Sequence, residues 1–289
     1  MFQRILVPLD GSERAERSIP VAVHMARTAS GSIILVRIIE TPVEYWSSLA
    51  QIPSATLVET AIEAEIDEAE RYLAAVAASP AMVGVTVQTV TLFGQVAPSI
   101  LSAANTCNAD IILMSSHGYT GMKRWVMGSV AEKIARHSTL PVLILRDSSL
   151  LPIAAQSGAT SPIRALIPLD GSAHARAALS SAIELVMTLN GHNKGAIHLV
   201  RVVKSPSFDE SLTVEQQQEV RAHALYRAKR YLISITEQLR DGLIAPSLAG
   251  LTMPVTWSVA GDDDAAAGIL RIAEKGDDAE GSGTFGGCN

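Results

Sequence analysis

The residues best suited to chemistry lie in a glycine-containing loop between an apolar run at 111–114 and a helical segment near Ser129. The loop reads Ser115-x2-Gly118-x9-Gly128-Ser129. Backbone N–H groups of such a loop can converge on one anion, and the dipole of the following helix favours negative charge there. Glycine permits close backbone approach, and the Ser129 hydroxyl can cap the helix or donate to a phosphate oxygen. From these residues alone a phosphate site and an ordinary tight turn followed by a helix cap both remain open.

Motifs of other nucleotide and metal sites are missing from the sequence. No Gly-Lys-Ser/Thr ends the loop, and the dinucleotide fingerprint Gly-x-Gly-x-x-Gly is absent. The histidines, including His24, His137 and His174, show no metal-ligand spacing. No base, metal ligand or His-x-Gly-His signature supports catalysis, and we therefore predict that the protein is not an enzyme.

The elements that must position this loop follow an alternating pattern. Short apolar β-rich runs predict buried strands at 5–9, 33–39, 85–92, 111–114 and 142–145. Apolar residues at helical spacing predict helices between them, at 13–29, 59–78, 97–105 and 129–136. This order predicts an α/β fold with a doubly wound, open parallel sheet. Such sheets bind ligands beyond the carboxyl ends of their strands, where the strand order reverses.

Asp10 follows the first predicted strand and therefore belongs at that edge. Its carboxylate could accept hydrogen bonds from ribose hydroxyls. It could equally cap the helix that begins near Glu13. Both interpretations remain open from the sequence.

The chain contains a duplication. Asp10-Gly11-Ser12 recurs as Asp170-Gly171-Ser172 after a similar apolar run. Further matches follow in the same order, including Arg37 with Arg201, Tyr72 with Tyr231, and Gly94 with Gly261. Colinear matches over a long unit indicate two related globular domains, not a short-period solenoid.

The second copy ends early in the sequence. We predict a first domain at 1–147, a linker at 148–162 rich in Ser, Ala and Pro, and a second domain at 163–289. After residue 279 only a Gly-rich tail follows. The second domain is therefore expected to be incomplete, without the fourth and fifth strands and without the phosphate loop.

Composition limits the class of protein. The formal charge of -6 and the 48% hydrophobic content argue against a nucleic-acid surface and against disorder. Cys107 and Cys288 are the only cysteines, which favours a reducing compartment. Uncharged stretches at 72–109 and 242–261 are interrupted by Pro and Gly, so no membrane span is predicted. With no secretion signal recognised, we expect a cytoplasmic protein.

The first unit resembles the universal stress protein family. The resemblance rests on the opening Ile-Leu-Val-Pro-Leu-Asp-Gly-Ser, the closing Leu-Pro-Val-Leu-Ile-Leu and the loop after the fourth strand, which in the family is Gly-x2-Gly-x9-Gly-Ser/Thr. Here Ser115 replaces the first glycine, a change that would crowd the phosphate or add a donor. The resemblance implies an adenine nucleotide alpha-hydrolase-like fold with five strands in each complete domain.

The resemblance also implies a site for ATP, or for ADP or AMP, with Mg²⁺ accompanying the nucleotide. Carried over by position, Pro8 and Asp10 would border adenosine and ribose, Ile38 would meet adenine through its backbone, and Met114 would line the base pocket. The phosphates would be surrounded by the remaining residues of the motif, Ser115, Gly118, Gly128, Ser129 and Val130.

Three functions compete at this point. The leading one is an ATP-binding protein of the stress response that acts through ligand-dependent contacts and through a homodimer joined at the fifth strand of the first domain. The second is an interaction module of the same family that binds no nucleotide, which the Ser115 replacement and the incomplete second unit favour. The third and least favoured is a slow ATP-hydrolysing enzyme.

Overall fold

A computed structural model describes residues 2–40, 55–116, 127–146, 162–190, 195–204, 213–244, 253–275 and 283–284. The chain divides into two compact units, Met1–Ser161 and Pro162–Asn289. The proposed linker at 148–162 lies outside the described residues except for Pro162.

The first unit is an open sheet of five parallel strands in the order β3-β2-β1-β4-β5. Its strands are β1 (Arg4–Pro8), β2 (Ser32–Ile39), β3 (Thr86–Phe93), β4 (Ile111–Ser115) and β5 (Val142–Leu145). Its helices are α1 (Glu13–Glu16), α2 (Ile19–Ala29), α3 (Ala55–Ala77), α4 (Val96–Thr106) and α5 (Ser129–His137), with a 3₁₀ turn at Pro80–Met82. The predicted α/β fold with a parallel sheet is confirmed.

The central strands are buried on both faces, which is why they read as continuous apolar runs. Leu6 and Ile34 face a core cluster that includes Ile100 of α4 and Ile134 of α5. The neighbouring Ile5 is also fully buried, on the face that α2 and α3 cover. Helices on both faces therefore hold the strand ends in fixed positions.

The predicted helix at 13–29 is two helices, and this boundary was wrong. Pro20 lies at the start of α2, and it has no N–H to donate to the carbonyl of Glu16 four residues earlier. Ser18 turns the chain here, with its hydroxyl donating to the carbonyl of Ala15 at 2.6 Å. The short α1 thus stands as a separate turn beside the Asp10 loop.

The second unit repeats the beginning of this arrangement. Strands β6 (Arg164–Pro168), β7 (Ala196–Val203) and β8 (Val255–Gly261) are parallel, and helices α6 (Ala173–Asn190), α7 (Val214–Arg240) and α8 (Ala265–Lys275) accompany them. A two-residue strand, β9 (Gly283–Thr284), pairs antiparallel with β8. The sequence predicted no strand in this tail, and this was wrong because β9 depends on backbone pairing with β8.

The sheet order in this unit is β6-β7-β8-β9, so β6 is an edge strand among the described residues. Its counterpart β1 is central in the first unit. Within the part of the chain that the structure describes, no helix is long and apolar enough to cross a membrane.

Candidate functional site

The strand order of the first unit reverses between β1 and β4. β1 continues on one side to β2 and β3, whereas β4 leads on the other side to β5. In open parallel sheets the crevice outside the carboxyl ends at such a point receives ligands. The residues at that edge therefore define the candidate site.

The structure brings the β1 and β4 residues of the predicted set to this edge. Pro8 ends β1, beyond the residues that pair with β4, so its missing N–H removes no bond of that ladder, and Asp10 follows in an exposed loop. Met114 and Ser115 end β4. Gly118 lies outside the described residues, as do the other loop residues 117–126.

Asp10 shapes the loop after β1 but does not cap α1. Its Oδ1 accepts a hydrogen bond from the Ser12 N–H at 2.9 Å. Ser12 is the N-cap, and its Oγ accepts from the Ala15 N–H at 3.2 Å. Gly11, with φ of +86°, makes this tight turn possible. The capping interpretation of Asp10 is therefore corrected, because the cap is Ser12.

Ile38 presents backbone groups to the crevice. The Leu9 N–H donates to the Val36 carbonyl at 2.8 Å, and the Gly94 N–H donates to the Ile39 carbonyl at 3.1 Å. Because backbone groups alternate between neighbours in a parallel ladder, those of Ile38 point to the β1 side. Among the described residues no bond from β1 or its following turn reaches them. They are available to the polar edge of a base.

Met114 and Ser115 are both used by the protein itself. Met114 is 7% exposed and belongs to the core cluster beneath the edge. The Ser115 hydroxyl donates to the carbonyl of Arg14 at 2.7 Å and so ties the end of β4 to α1. A serine at this position therefore makes a structural bond, and its hydrogen is not directed to a ligand.

Helix α5 begins at the same edge. It connects the parallel strands β4 and β5, so it runs back across the sheet and its first turn faces the crevice. Gly128 is the N-cap with φ -61° and ψ 148°, and as a glycine it has no side chain that could accept from the first N–H groups of the helix. Ser129 is the first helical residue and is exposed, while Val130 is half-buried against the core cluster. The sequence-based suggestion that Ser129 caps the helix was wrong, since Gly128 holds that position.

A second group of side chains supports the Asp10 loop, and the sequence assigned it no role. The Arg37 guanidinium lies over the Tyr72 ring, with Cζ 4.9 Å from the ring centroid. A β-carbon at Gly11 would lie 3.3 Å from Arg37 Nη1, so glycine also leaves room for this cation. The Tyr72 hydroxyl donates to Glu16 Oε1 at 2.8 Å. The sequence signal that could have indicated this group is the recurrence of Arg37 and Tyr72 in the second unit, as Arg201 and Tyr231.

Burial, together with the hydrogen bond to Glu16, raises the pKa of Tyr72, so the hydroxyl stays protonated at neutral pH. We expect Tyr72→Phe to destabilise the first unit by about 1–2 kcal/mol, because a hydrogen bond to a charged acceptor is lost. Hydrogen-exchange mass spectrometry of β1 and β2 measures this. Tyr231→Phe is the matched control. Its hydroxyl is buried and, in the part of the chain that the structure describes, has no hydrogen-bond partner, so protection of the second unit should stay equal or rise.

The described residues contain no group of three or more His, Cys, Asp or Glu side chains that could hold a metal ion. The Asp10 carboxylate is the acidic group of the predicted set at this edge. Mg²⁺ commonly takes one or two carboxylates together with substrate phosphates and water. One exposed carboxylate is what a Mg²⁺ ion arriving with a nucleotide would need from the protein.

Comparison with known proteins decides the family. The universal stress protein family model matches residues 1–146. The chain belongs to the universal stress protein family. Universal stress protein YxiE of Bacillus subtilis is 31% identical over 149 residues, which is 50% of this chain and 100% of that protein. Universal stress protein MJ0531 of Methanocaldococcus jannaschii is 26% identical over 146 residues, 50% of this chain and 83% of that protein.

A solved structure extends the similarity in fold beyond the first unit. The universal stress protein from Archaeoglobus fulgidus DSM 4304 has a TM-score of 0.59 at 18% identity, with 95% of this chain and 84% of that chain covered. At this identity the comparison concerns the fold alone. The universal stress protein described here therefore shares the α/β architecture of the Archaeoglobus fulgidus protein along most of its own chain.

Proposed function

We propose that the first unit binds ATP or a related adenine nucleotide in the crevice between β1 and β4, and that the protein acts in the stress response through ligand-dependent contacts. It works in this proposal as a cytoplasmic homodimer and not as a catalyst. One observation carries the proposal. Helix α5 begins at Gly128 without a side-chain cap, at the edge where the strand order reverses.

The physical support comes from two groups of atoms at that edge. The uncapped N–H groups of α5 and the helix dipole favour the negative charge of phosphate. The backbone N–H and C=O of Ile38 face the crevice beyond the end of β1, which suits the polar edge of adenine. Asp10 is exposed next to Pro8 and could accept from ribose hydroxyls while its Oδ1 holds the turn.

In this arrangement each residue has a separate task. Gly128 and Ser129 would receive phosphate, Ile38 would select the base through its backbone, and Asp10 would select ribose. Met114 would form the apolar floor beneath the base, since it joins the core cluster. A bound Mg²⁺ would neutralise phosphate charge. Nothing in this set supplies an activated nucleophile, which is why we propose binding without turnover.

A ligand-free interaction module is the alternative that one observation favours. Ser115 stands where the family pattern has glycine, and its hydroxyl is bonded to the Arg14 carbonyl. Its β-carbon therefore stays at the end of β4, where it would narrow the entrance for phosphate. A nucleotide titration separates the two functions.

Calorimetric titration of the purified chain with Mg-ATP should give one site per chain. The second unit retains Pro168 and Asp170, but among the described residues no strand lies on the side of β6 away from β7, where β4 lies beside β1 in the first unit. The exposed Asp170 carboxylate also accepts a hydrogen bond from the Ser172 N–H. Hydrogen bonds from Ser172 lower the pKa of Asp170. Two equivalent sites would contradict the assignment to the first unit, and no binding at millimolar ATP would favour the ligand-free module.

A further inference from the structure

The two units differ in charge at one position beside the repeated Asp-Gly-Ser turn. Counting from that turn, Glu16 of the first unit corresponds to Arg176 of the second. The Asp-Gly-Ser turn and the stacked Arg and Tyr beside it are retained. Arg201 Cζ lies 4.9 Å from the Tyr231 ring centroid, the same distance that separates Arg37 from Tyr72. The second unit thus keeps the packing but replaces its carboxylate with a guanidinium.

This exchange leaves the Tyr231 hydroxyl without its acceptor. In the first unit the matching hydroxyl of Tyr72 donates to Glu16 Oε1 at 2.8 Å. In the second unit the Tyr231 hydroxyl is buried and has no hydrogen-bond partner among the described residues. A buried hydroxyl without a partner costs about 1–3 kcal/mol, so an oxygen that reaches it is stabilising.

A cavity adjoins this hydroxyl-bearing side chain. It has a volume of about 560 Å³ and lies between α6 and α7. Among its lining residues are Ser172, Arg176 and Ser180 on the α6 side, Tyr231 on α7, and Leu243 with Ile244 beyond the end of α7. A volume of this size falls within the range of small-molecule sites, roughly 300–1,000 Å³, and is far larger than a single ion needs.

We propose that this cavity binds a small organic carboxylate, with the carboxylate held by Arg176 and the Tyr231 hydroxyl and the apolar body placed against Leu243 and Ile244. The site is separate from the nucleotide crevice proposed for the first unit and does not depend on it. The ligand's carboxylate takes the place that the Glu16 side chain occupies in the first unit.

Charge and hydrogen bonding both favour a carboxylate. The Arg176 guanidinium presents donors that match two carboxylate oxygens, and Tyr231 adds one donor. Burial raises the pKa of Tyr231, against the opposing effect of Arg201 and Arg176, so its hydroxyl remains a donor at neutral pH. The Tyr231 hydroxyl is shielded from solvent, so a side chain of the cavity wall must move before a ligand can reach it. Leu243 is 71% exposed, and its displacement loses little packing.

The cavity wall also argues against a fully polar anion. Ala177, Leu243 and Ile244 contribute apolar surface, while the polar groups cluster near Arg176. A ligand with a charged head and an apolar body matches this division. Inorganic phosphate would leave the apolar part unfilled.

Hexanoate and hexanamide are suitable probes because they share a shape and differ in charge. We expect the full chain to bind hexanoate saturably in an NMR titration, with shifts of the amides of Gly171 and Ser180, and to bind hexanamide at least about tenfold more weakly. Arg176→Glu should weaken hexanoate by about tenfold or more. Tyr231→Phe should weaken it by about three- to tenfold, since one hydrogen bond is lost.

Arg230→Glu is the matched control, because it makes the same charge change at an exposed position of α7 that does not line the cavity. It should leave hexanoate affinity within about twofold of the parent. Arg176→Glu has a second expected effect. Its carboxylate can accept from Tyr231, so hydrogen exchange around Tyr231 should slow even without ligand.

Several results would overturn the proposal. These are no saturable hexanoate binding, equal affinity for hexanoate and hexanamide, or tighter binding of inorganic phosphate than of hexanoate at this site. Unchanged hexanoate affinity in folded Arg176→Glu would do the same. ATP binding in the first unit is measured separately, so its failure and the failure of this proposal are distinguishable.

Discussion

ATP affinity should fall by about ten- to hundredfold in Ser129→Ala and by at least as much in Gly128→Val. Ser129 is the first residue of α5, is exposed and does not cap the helix. Its loss should therefore leave the helix intact and remove only a hydrogen bond to phosphate, worth roughly 1.5–3 kcal/mol. Calorimetry with Mg-ATP measures both variants.

Gly128→Val tests space and not backbone freedom. The φ of -61° and ψ of 148° at Gly128 are open to any residue, so a valine fits the backbone. Its branched side chain would instead occupy the space that phosphate must enter beside the first turn of α5. Ser102→Ala, an exposed serine in α4, is the control and should bind like the parent. If folded Ser129→Ala and Gly128→Val also bind like the parent, the loop is only a turn and the ligand-free module stands.

Leu143→Lys and Leu145→Lys should each weaken the proposed homodimer, and together raise its Kd by about 100-fold or more. β5 is an edge strand of the five-stranded sheet. Val142 and Ile144 pack against the core cluster, whereas Leu143 and Leu145 alternate to the other face and are half-buried. Two copies paired at this edge would bring the lysines together, and like charges across an interface cost several kcal/mol.

Light scattering over a dilution series measures the dimer directly. Thr89→Lys is the control, because it adds the same charge at an exposed position of β3, the opposite edge of the sheet. It should leave the Kd unchanged. A parent that is monomeric at every concentration would refute the dimer, and a dimer insensitive to both lysines would place the interface elsewhere.

The strands could be predicted from sequence because burial on both faces leaves long apolar runs. The run that contains Leu35 predicted a strand at 33–39, and β2 covers Ser32–Ile39. The break before α2 was missed, although Pro20 marks it, because the apolar spacing continues across the break. β9 could not be predicted, since Gly283 and Thr284 carry no periodic signal and depend on pairing with a distant strand.

The candidate site was less accessible to sequence reasoning, because its details depend on contacts between distant residues. The Ser115 hydroxyl meets the carbonyl of Arg14, 101 residues away in the chain. The spacing of residues around Asp10 left two roles for its carboxylate open, ribose binding and helix capping. The hydrogen bond from the Ala15 N–H to Ser12 Oγ, which the fold shows, identified Ser12 as the cap. The repeat of Arg37 and Tyr72 was visible in the sequence, but their stacking required the three-dimensional fold.

The position of β4 has a consequence for how quickly the two units fold. β4 pairs with β1, and Asp110 just before it accepts from the Arg4 N–H at 2.8 Å across 106 residues. In the second unit the described strands pair in chain order. Sheets whose strands are far apart in sequence fold slowly, because the entropy of closing the long loop is lost before the strand contacts form and stabilise the sheet. The second unit should therefore reach its native sheet first, while the crevice between β1 and β4, where we propose that nucleotide binds, is among the last features to form.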